Sequence, residues 1–174
     1  MINPHLWLDP VLVKRMVPDL AHALAEALPE HADAIEANAA GLDGKLADLD
    51  AEFERRLAPL HDAEMITYHS AFDLLAARYG LTVAATLTPV ESPGDVTSGR
   101  LAEVIRLIRE HDVRAVFTEP QFPADRAAAI QRETGVEVLV LDPLGDPNQG
   151  GRDGYFALMR YNLETLVKGL GRDE

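Results

Sequence analysis

The regular alternation of short apolar runs and amphipathic segments after Pro59 constrains the fold of this chain more than any other feature. The apolar runs predict strands at 63–69, 81–88, 113–118 and 136–141. Periodic apolar residues predict helices over 70–79, from about 98, over 123–133 and over 155–170. Strands that alternate with helices pair in parallel through right-handed crossovers. Residues 61–174 are therefore predicted to form an α/β fold, a four-stranded parallel sheet sandwiched by helices.

The residues before this alternation are predicted to be helical. Asp9 and Pro10 form a helix start, and the first helix is expected to run to about Leu28 with a kink at Pro18. A second helix is predicted from about 30 to 58, because its leucines recur at spacings of three and four. At ~1.5 Å per residue it would be about 43 Å long. A helix of that length in a small chain is expected to connect two parts of a protein.

Composition excludes several classes of function. The chain has 16 basic and 29 acidic residues, a formal charge of −13, and so lacks the positive charge that nucleic acid or anionic lipid requires. It has no cysteine, which rules out disulfides, thiolate zinc sites and cysteine nucleophiles. No apolar run approaches the ~20 residues of a membrane-spanning helix.

Polar residues follow the predicted strands, where ligands bind to open parallel sheets. His69 follows the first strand, Glu119 the third and Asp142 the fourth, while the second leads towards Glu91. This set suits a divalent cation or acid–base chemistry. Capping of the next helix or solvation of a turn is the alternative for each carboxylate, and a helix-cap or core role is the alternative for His69.

His5 is the other candidate, because it is fixed between a proline and Trp7, which suits either a metal ligand or simple packing. The remaining histidines lie beside charged residues and are predicted to face solvent: His22, His31, His61 and His111.

The segment 3–10, NPHLWLDP, resembles the (D/N)PHxWLDP signature of the metal-specific solute-binding proteins of bacterial ABC importers. Three further stretches resemble the same family in the expected order. They are TYHSAFD with RYGL at 67–81, VFTEPQF at 116–122, and LDPLG from 141 with the helix that begins at Tyr155.

The resemblance implies two α/β lobes joined by one long helix, with the metal bound in the cleft between them. Carried over residue by residue, the metal ligands are His5, His69 and Asp142. Histidine at position 69 is typical of the zinc proteins of this family, whereas manganese proteins usually have glutamate there. The resemblance thus implies capture of Zn²⁺ in the periplasm, or another extracytoplasmic space, and delivery to a membrane ABC permease, without catalysis.

The chain departs from the family pattern, since members carry a whole first lobe, with another histidine ligand, before the Pro-His-x-Trp motif. We therefore expect residues 1–29 to be a remnant of the N-terminal lobe, 30–60 the linking helix and 61–174 the C-terminal lobe. A dimer could form through the surface that the first lobe would cover. The alternatives are a manganese or iron binder and a zinc-dependent hydrolase with Glu119 as its base.

Overall fold

The computed structural model describes residues 3–88, 97–111, 113–120 and 124–171, apart from the side chains of 124–126. The strands are β1 (Glu64–Thr67), β2 (Thr82–Thr86), β3 (Val113–Thr118) and β4 (Glu137–Val140). The helices are α1 (Pro10–Ala27), α2 (Ala32–Leu57), α3 (Asp73–Arg78), α4 (Ser98–Glu110), α5 (Ala124–Thr134) and α6 (Tyr155–Leu170).

The four strands form one parallel sheet in the order β2-β1-β3-β4. The predicted α/β class and parallel pairing are confirmed. Successive side chains of a strand point to opposite faces, and here both faces are covered, so the middle of each central strand is a continuous apolar run, Met65–Ile66 in β1 and Ala115–Phe117 in β3. Met65 and Phe117 pack in one core cluster with α2 and α6, while Ile66 and Val116 pack in the other with α4.

The two N-terminal helices form an antiparallel hairpin at the side of this sheet. Asp9 caps α1, because its Oδ1 accepts hydrogen bonds from the backbone N–H groups of Val11 and Leu12. The long second helix is confirmed as α2, which has 26 residues. Its buried side chains all lie in its C-terminal half: Leu46, Leu49, Phe53 and Leu57. The last three belong to the main core cluster, with residues of the sheet.

The last helix, α6, lies very close to the sheet. A Cβ atom added at Gly169 would come within 2.7 Å of Leu139 and 2.9 Å of Phe117. Glycine at this position is therefore what allows the helix to approach β3 and β4. No helix within the described residues is both long and apolar enough to span a membrane.

Candidate metal centre

The register of the sheet brings the candidate residues to one edge. Thr67 of β1 pairs with Phe117 of β3, and Phe117 pairs with Leu139 of β4. His69 lies two residues beyond Thr67, and Glu119 lies two residues beyond Phe117. Asp142 lies three residues beyond Leu139. Parallel strands end at a common edge, so these three residues follow neighbouring strands at the same side of the molecule.

The N-terminal segment brings His5 to that edge. The Nε2 atoms of His5 and His69 lie 3.2 Å apart, and their ring centroids lie 4.9 Å apart. Two imidazoles bound tetrahedrally to one zinc ion, at Zn–N distances of 2.0–2.1 Å, would have their nitrogens about 3.3 Å apart. The two rings therefore already have the separation that a shared zinc ion requires.

Each of these histidines is oriented by an oxygen atom at its other nitrogen. The Nδ1 of His5 is 2.8 Å from Oδ1 of Asn3, and the Nδ1 of His69 is hydrogen-bonded to Oε1 of Glu119. Both oxygens are acceptors, so they favour the tautomer that carries the proton on Nδ1. That tautomer leaves the lone pair of Nε2 available to a metal.

The environment of His5 favours the neutral ring that metal binding requires. Burial lowers the pKa of His5, and the neighbouring His69 lowers it further. Because a protonated imidazole has no lone pair to donate, a lowered pKa keeps His5 able to bind a cation at more acidic pH than an exposed histidine.

The segment that carries His5 is fastened to both candidate strand ends. Asn3 Nδ2 donates to the carbonyl of Ser70, the residue after His69, at 2.8 Å. Trp7 Nε1 donates to the carbonyl of Pro143, the residue after Asp142, also at 2.8 Å. These bonds place the segment 3–8 across the edge of the sheet, between the ends of β1 and β4.

Two buried residues, Leu8 and Asp9, anchor the same segment to the α/β lobe. Leu8 is fully buried in the main core cluster. Asp9, buried beneath the segment, accepts hydrogen bonds from Arg78, at the end of α3, at 3.0 Å. The position of His5 therefore depends on packing against the α/β lobe and not on the loop alone.

Asp142 is buried, and both of its carboxylate oxygens have partners. Oδ1 accepts from the backbone N–H groups of Leu144 and Gly145, and Oδ2 accepts from Arg152 at 2.8 Å. Asn162 of α6 fixes the backbone, since its side-chain amide bonds both the N–H and the carbonyl of Asp142 at 2.8 Å.

Of the three predicted ligands, the structure brings His5 and His69 together. Across 3–88, 97–111, 113–120 and 124–171 it contains no cluster of three histidines or carboxylates close enough to hold one metal ion. Asp142 as the third ligand stays a prediction, and Glu91 lies outside the described residues. The other four histidines are exposed, as predicted, with side-chain exposures between 48% for His111 and 77% for His22.

Sequence reasoning missed the roles of two polar residues at this edge. In the sequence, Asn3 stands out only as part of a motif, although its position two residues before His5 is where a side chain can reach back to the ring. The only sequence signal for Arg152 is its place in the irregular stretch after Asp142.

Comparison with known proteins identifies the family. The family model for the periplasmic component A of the zinc-uptake complex, ZnuA, matches residues 2–169. The chain belongs to this ZnuA family. Among curated members, ZnuA of Brucella abortus, a high-affinity zinc uptake system protein, is 34% identical over 166 residues. The zinc-binding protein AdcA of Streptococcus pyogenes is 30% identical over 168 residues.

Solved structures of ZnuA-family proteins have the same fold. A crystal structure of ZnuA matches 97% of this chain with a TM-score of 0.84 and 28% identity, and the chain covers 60% of it. Zn(II)-bound AdcA from Streptococcus pneumoniae matches 99% of the chain with a TM-score of 0.82 and 27% identity, and the chain covers 38% of it.

The chain spans only part of the length of these ZnuA-family proteins. Each match covers 94% of this chain, but only 48% of the Brucella ZnuA sequence and 32% of the streptococcal AdcA sequence. The names of these relatives describe zinc binding and zinc uptake, and the description of the family places it in the periplasm.

Proposed function

We propose that this chain captures Zn²⁺ for an ABC-type importer, with His5, His69 and Asp142 as its ligands. The observation that carries the proposal is the 3.2 Å separation of the two Nε2 atoms. Two imidazoles that face each other at this distance, each with its Nδ1 bonded to an oxygen, are arranged as ligands of one cation. Zinc-binding relatives support the same conclusion.

The donor set favours zinc over manganese or iron. Imidazole nitrogen suits zinc, whereas manganese prefers sets of oxygen ligands. Two histidines and one aspartate make a nitrogen-rich set with one position left for a further ligand or water, which is compatible with tetrahedral zinc. A carboxylate in place of His69 would change this preference.

The proposed role is reversible binding without catalysis. Glu119 is the residue that a zinc hydrolase would use as its base, but its Oε1 is hydrogen-bonded to His69, and its side chain is 1% exposed. It therefore serves better to orient a ligand than to activate a water molecule. We propose that the bound ion is passed to a membrane ABC permease from an extracytoplasmic compartment. The family description, a periplasmic component of the zinc-uptake complex, supports that compartment.

We also propose that the chain corresponds to one lobe of a two-lobed protein, together with part of the other. Residues 61–174 would be the C-terminal lobe, 30–60 the linking helix and 1–29 part of the N-terminal lobe. The burial of α2 supports this division, because only its C-terminal half contributes buried side chains to the α/β core.

An apolar stripe on α1 is the surface through which we propose that two copies of the chain pair. Four large side chains at spacings of four residues are 42–59% exposed, three on α1 and one directly after it: Met16, Leu20, Leu24 and Leu28. Beside this stripe lies a groove of the α1–α2 hairpin lined by apolar and polar residues, among them Ala21, His22 and Asp43. We propose that the exposed apolar side chains pack against the same stripe of a second copy. Light scattering should show a dimer, and a monomer across the micromolar range would refute the pairing.

Calorimetric titration of the metal-stripped chain with zinc tests the main proposal. We expect one zinc ion per chain, and we expect His69→Ala to remove most of the binding, because it deletes one of two preorganised nitrogens. His22→Ala is the matched control, since His22 is 77% exposed on α1 and its ring pairs with Glu26 of the same helix. Equal losses from both substitutions would point to adsorption on surface histidines and would refute the site.

A further inference from the structure

The carboxylate of Asp142 already has a cationic partner. Oδ2 accepts a hydrogen bond from Nη1 of Arg152 at 2.8 Å, and the Asp142 side chain is only 4% exposed. Oδ1 is occupied by two backbone N–H groups of the following turn. A zinc ion that binds Asp142 must therefore share an oxygen with these donors or displace the arginine.

Arg152 is built into this position and is not a mobile surface side chain. Its side chain is 14% exposed, and its guanidinium lies 5.0 Å from the centroid of the Tyr161 ring. Its carbonyl accepts from the N–H of Asp146 at 3.0 Å. The same carbonyl would lie 2.8 Å from a Cβ at Gly145, which has a φ of +77°, so the turn closes only with glycine there.

We infer that Arg152 is a built-in counter-ion that competes with zinc for Asp142 and thereby weakens zinc binding. This inference rests on the proposed function, since it takes Asp142 as a ligand of the ion. A guanidinium beside a dication is repelled by it, and a partly desolvated site screens that repulsion poorly. In the absence of zinc, the same guanidinium stabilises a carboxylate that would otherwise be buried without a cation.

An arginine that only positioned Asp142 would have the opposite effect on zinc affinity. If Arg152 only oriented Asp142, its removal would loosen a ligand and weaken zinc binding, as the loss of outer-shell partners usually does. The sign of the change in affinity therefore separates the two roles.

The test compares Arg152→Gln with the wild type and with Arg160→Gln. Arg160 makes an ion pair with Glu52 at 2.9 Å on the surface, with a side chain that is 50% exposed, so its substitution removes the same charge elsewhere. Zinc alone is titrated into each metal-stripped protein in competition with a chelator. Urea unfolding with excess chelator then measures the stability of the zinc-free form.

We expect Arg152→Gln to bind zinc about tenfold more tightly. In this variant the zinc ion no longer has to displace a charged hydrogen bond, and breaking such a bond weakens binding by roughly that factor. We also expect its zinc-free form to unfold at a lower urea concentration. Arg160→Gln should bind zinc like the wild type. Zinc affinity that is unchanged or weaker in Arg152→Gln overturns the inference.

The outcomes separate this inference from the proposed function. Failure of the wild type to bind zinc, or undiminished binding by His69→Ala, would refute the function itself. Normal binding by the wild type with weaker binding by Arg152→Gln would refute the inference alone. If Arg152→Gln does not fold, Arg152→Met replaces it, because methionine keeps the apolar stem and removes the charge. The same gain in zinc affinity is expected, and no gain overturns the inference.

Discussion

The hydrogen bond between Glu119 and His69 leads to a quantitative prediction about zinc affinity. Glu119 lies at the end of β3, its side chain is 1% exposed, and its Oε1 bonds Nδ1 of His69. Glu119→Gln keeps the shape of the side chain and an oxygen that can accept the Nδ1 proton, but it removes the negative charge. The ring then loses the charged acceptor that holds the proton on Nδ1 and leaves the lone pair of Nε2 available to the metal.

The expected loss follows from the strength of the bond. A hydrogen bond to a charged group contributes about 1.5–3 kcal/mol, against about 1 kcal/mol for a neutral pair. Because Glu119 is almost fully buried, solvent screens little of that difference, and the loss should be about 1.4 kcal/mol, or about tenfold in the zinc dissociation constant.

Calorimetric titration with zinc measures this change directly, and Glu110→Gln is the matched control. Glu110 lies on α4, its side chain is 51% exposed, and it pairs with Arg106 at the surface. Glu110→Gln should bind zinc like the wild type. Nitrogen NMR of His69 adds a second readout, since Glu119→Gln should reduce the population of the tautomer protonated on Nδ1. Wild-type zinc affinity in Glu119→Gln, with an unchanged tautomer, would refute the argument.

Two further predictions concern the stability of the fold. Gly169→Ala should lower the free energy of unfolding by about 1–3 kcal/mol, because its Cβ would meet Leu139 and Phe117. Gly41→Ala in α2, where an added Cβ would meet nothing within 4 Å outside the helix's own backbone, should instead raise it by about 0.5–1 kcal/mol in the same urea titration. Burial raises the pKa of Asp73, so its charged form is disfavoured in the folded chain. Asp73→Asn should therefore stabilise the chain at neutral pH by less than about 1 kcal/mol. That gain should shrink as the pH falls through the raised pKa of the folded chain and should be lost below the ordinary value of 3.8, where the wild-type carboxyl is protonated in both states.

The order of the strands and helices could be predicted because each element carries its own local signal. Asp9 before Pro10 starts α1, and β3 is observed over the predicted residues. The strands β1, β2 and β4 are shorter than the predicted runs and lie inside them. The predicted helix over 70–79 is a 3₁₀ turn at 70–72 followed by α3.

The site could be predicted only in part, because its contacts depend on how distant segments meet. A resemblance in the sequence identified His5 and His69, and the structure places their Nε2 atoms 3.2 Å apart. The bond from Glu119 to His69 spans 50 residues and follows from the register of β1 with β3. The contact of Arg152 with Asp142 depends on the conformation of an irregular loop, for which a single sequence contains no periodic signal.

Zinc K-edge X-ray absorption of the chain loaded with one equivalent of zinc, with His69→Ala beside it, tests the central claim most directly. The account predicts two imidazole nitrogens at 2.0–2.1 Å in the wild type and one fewer in the variant. An all-oxygen zinc environment, or the same number of imidazoles in both proteins, would contradict it.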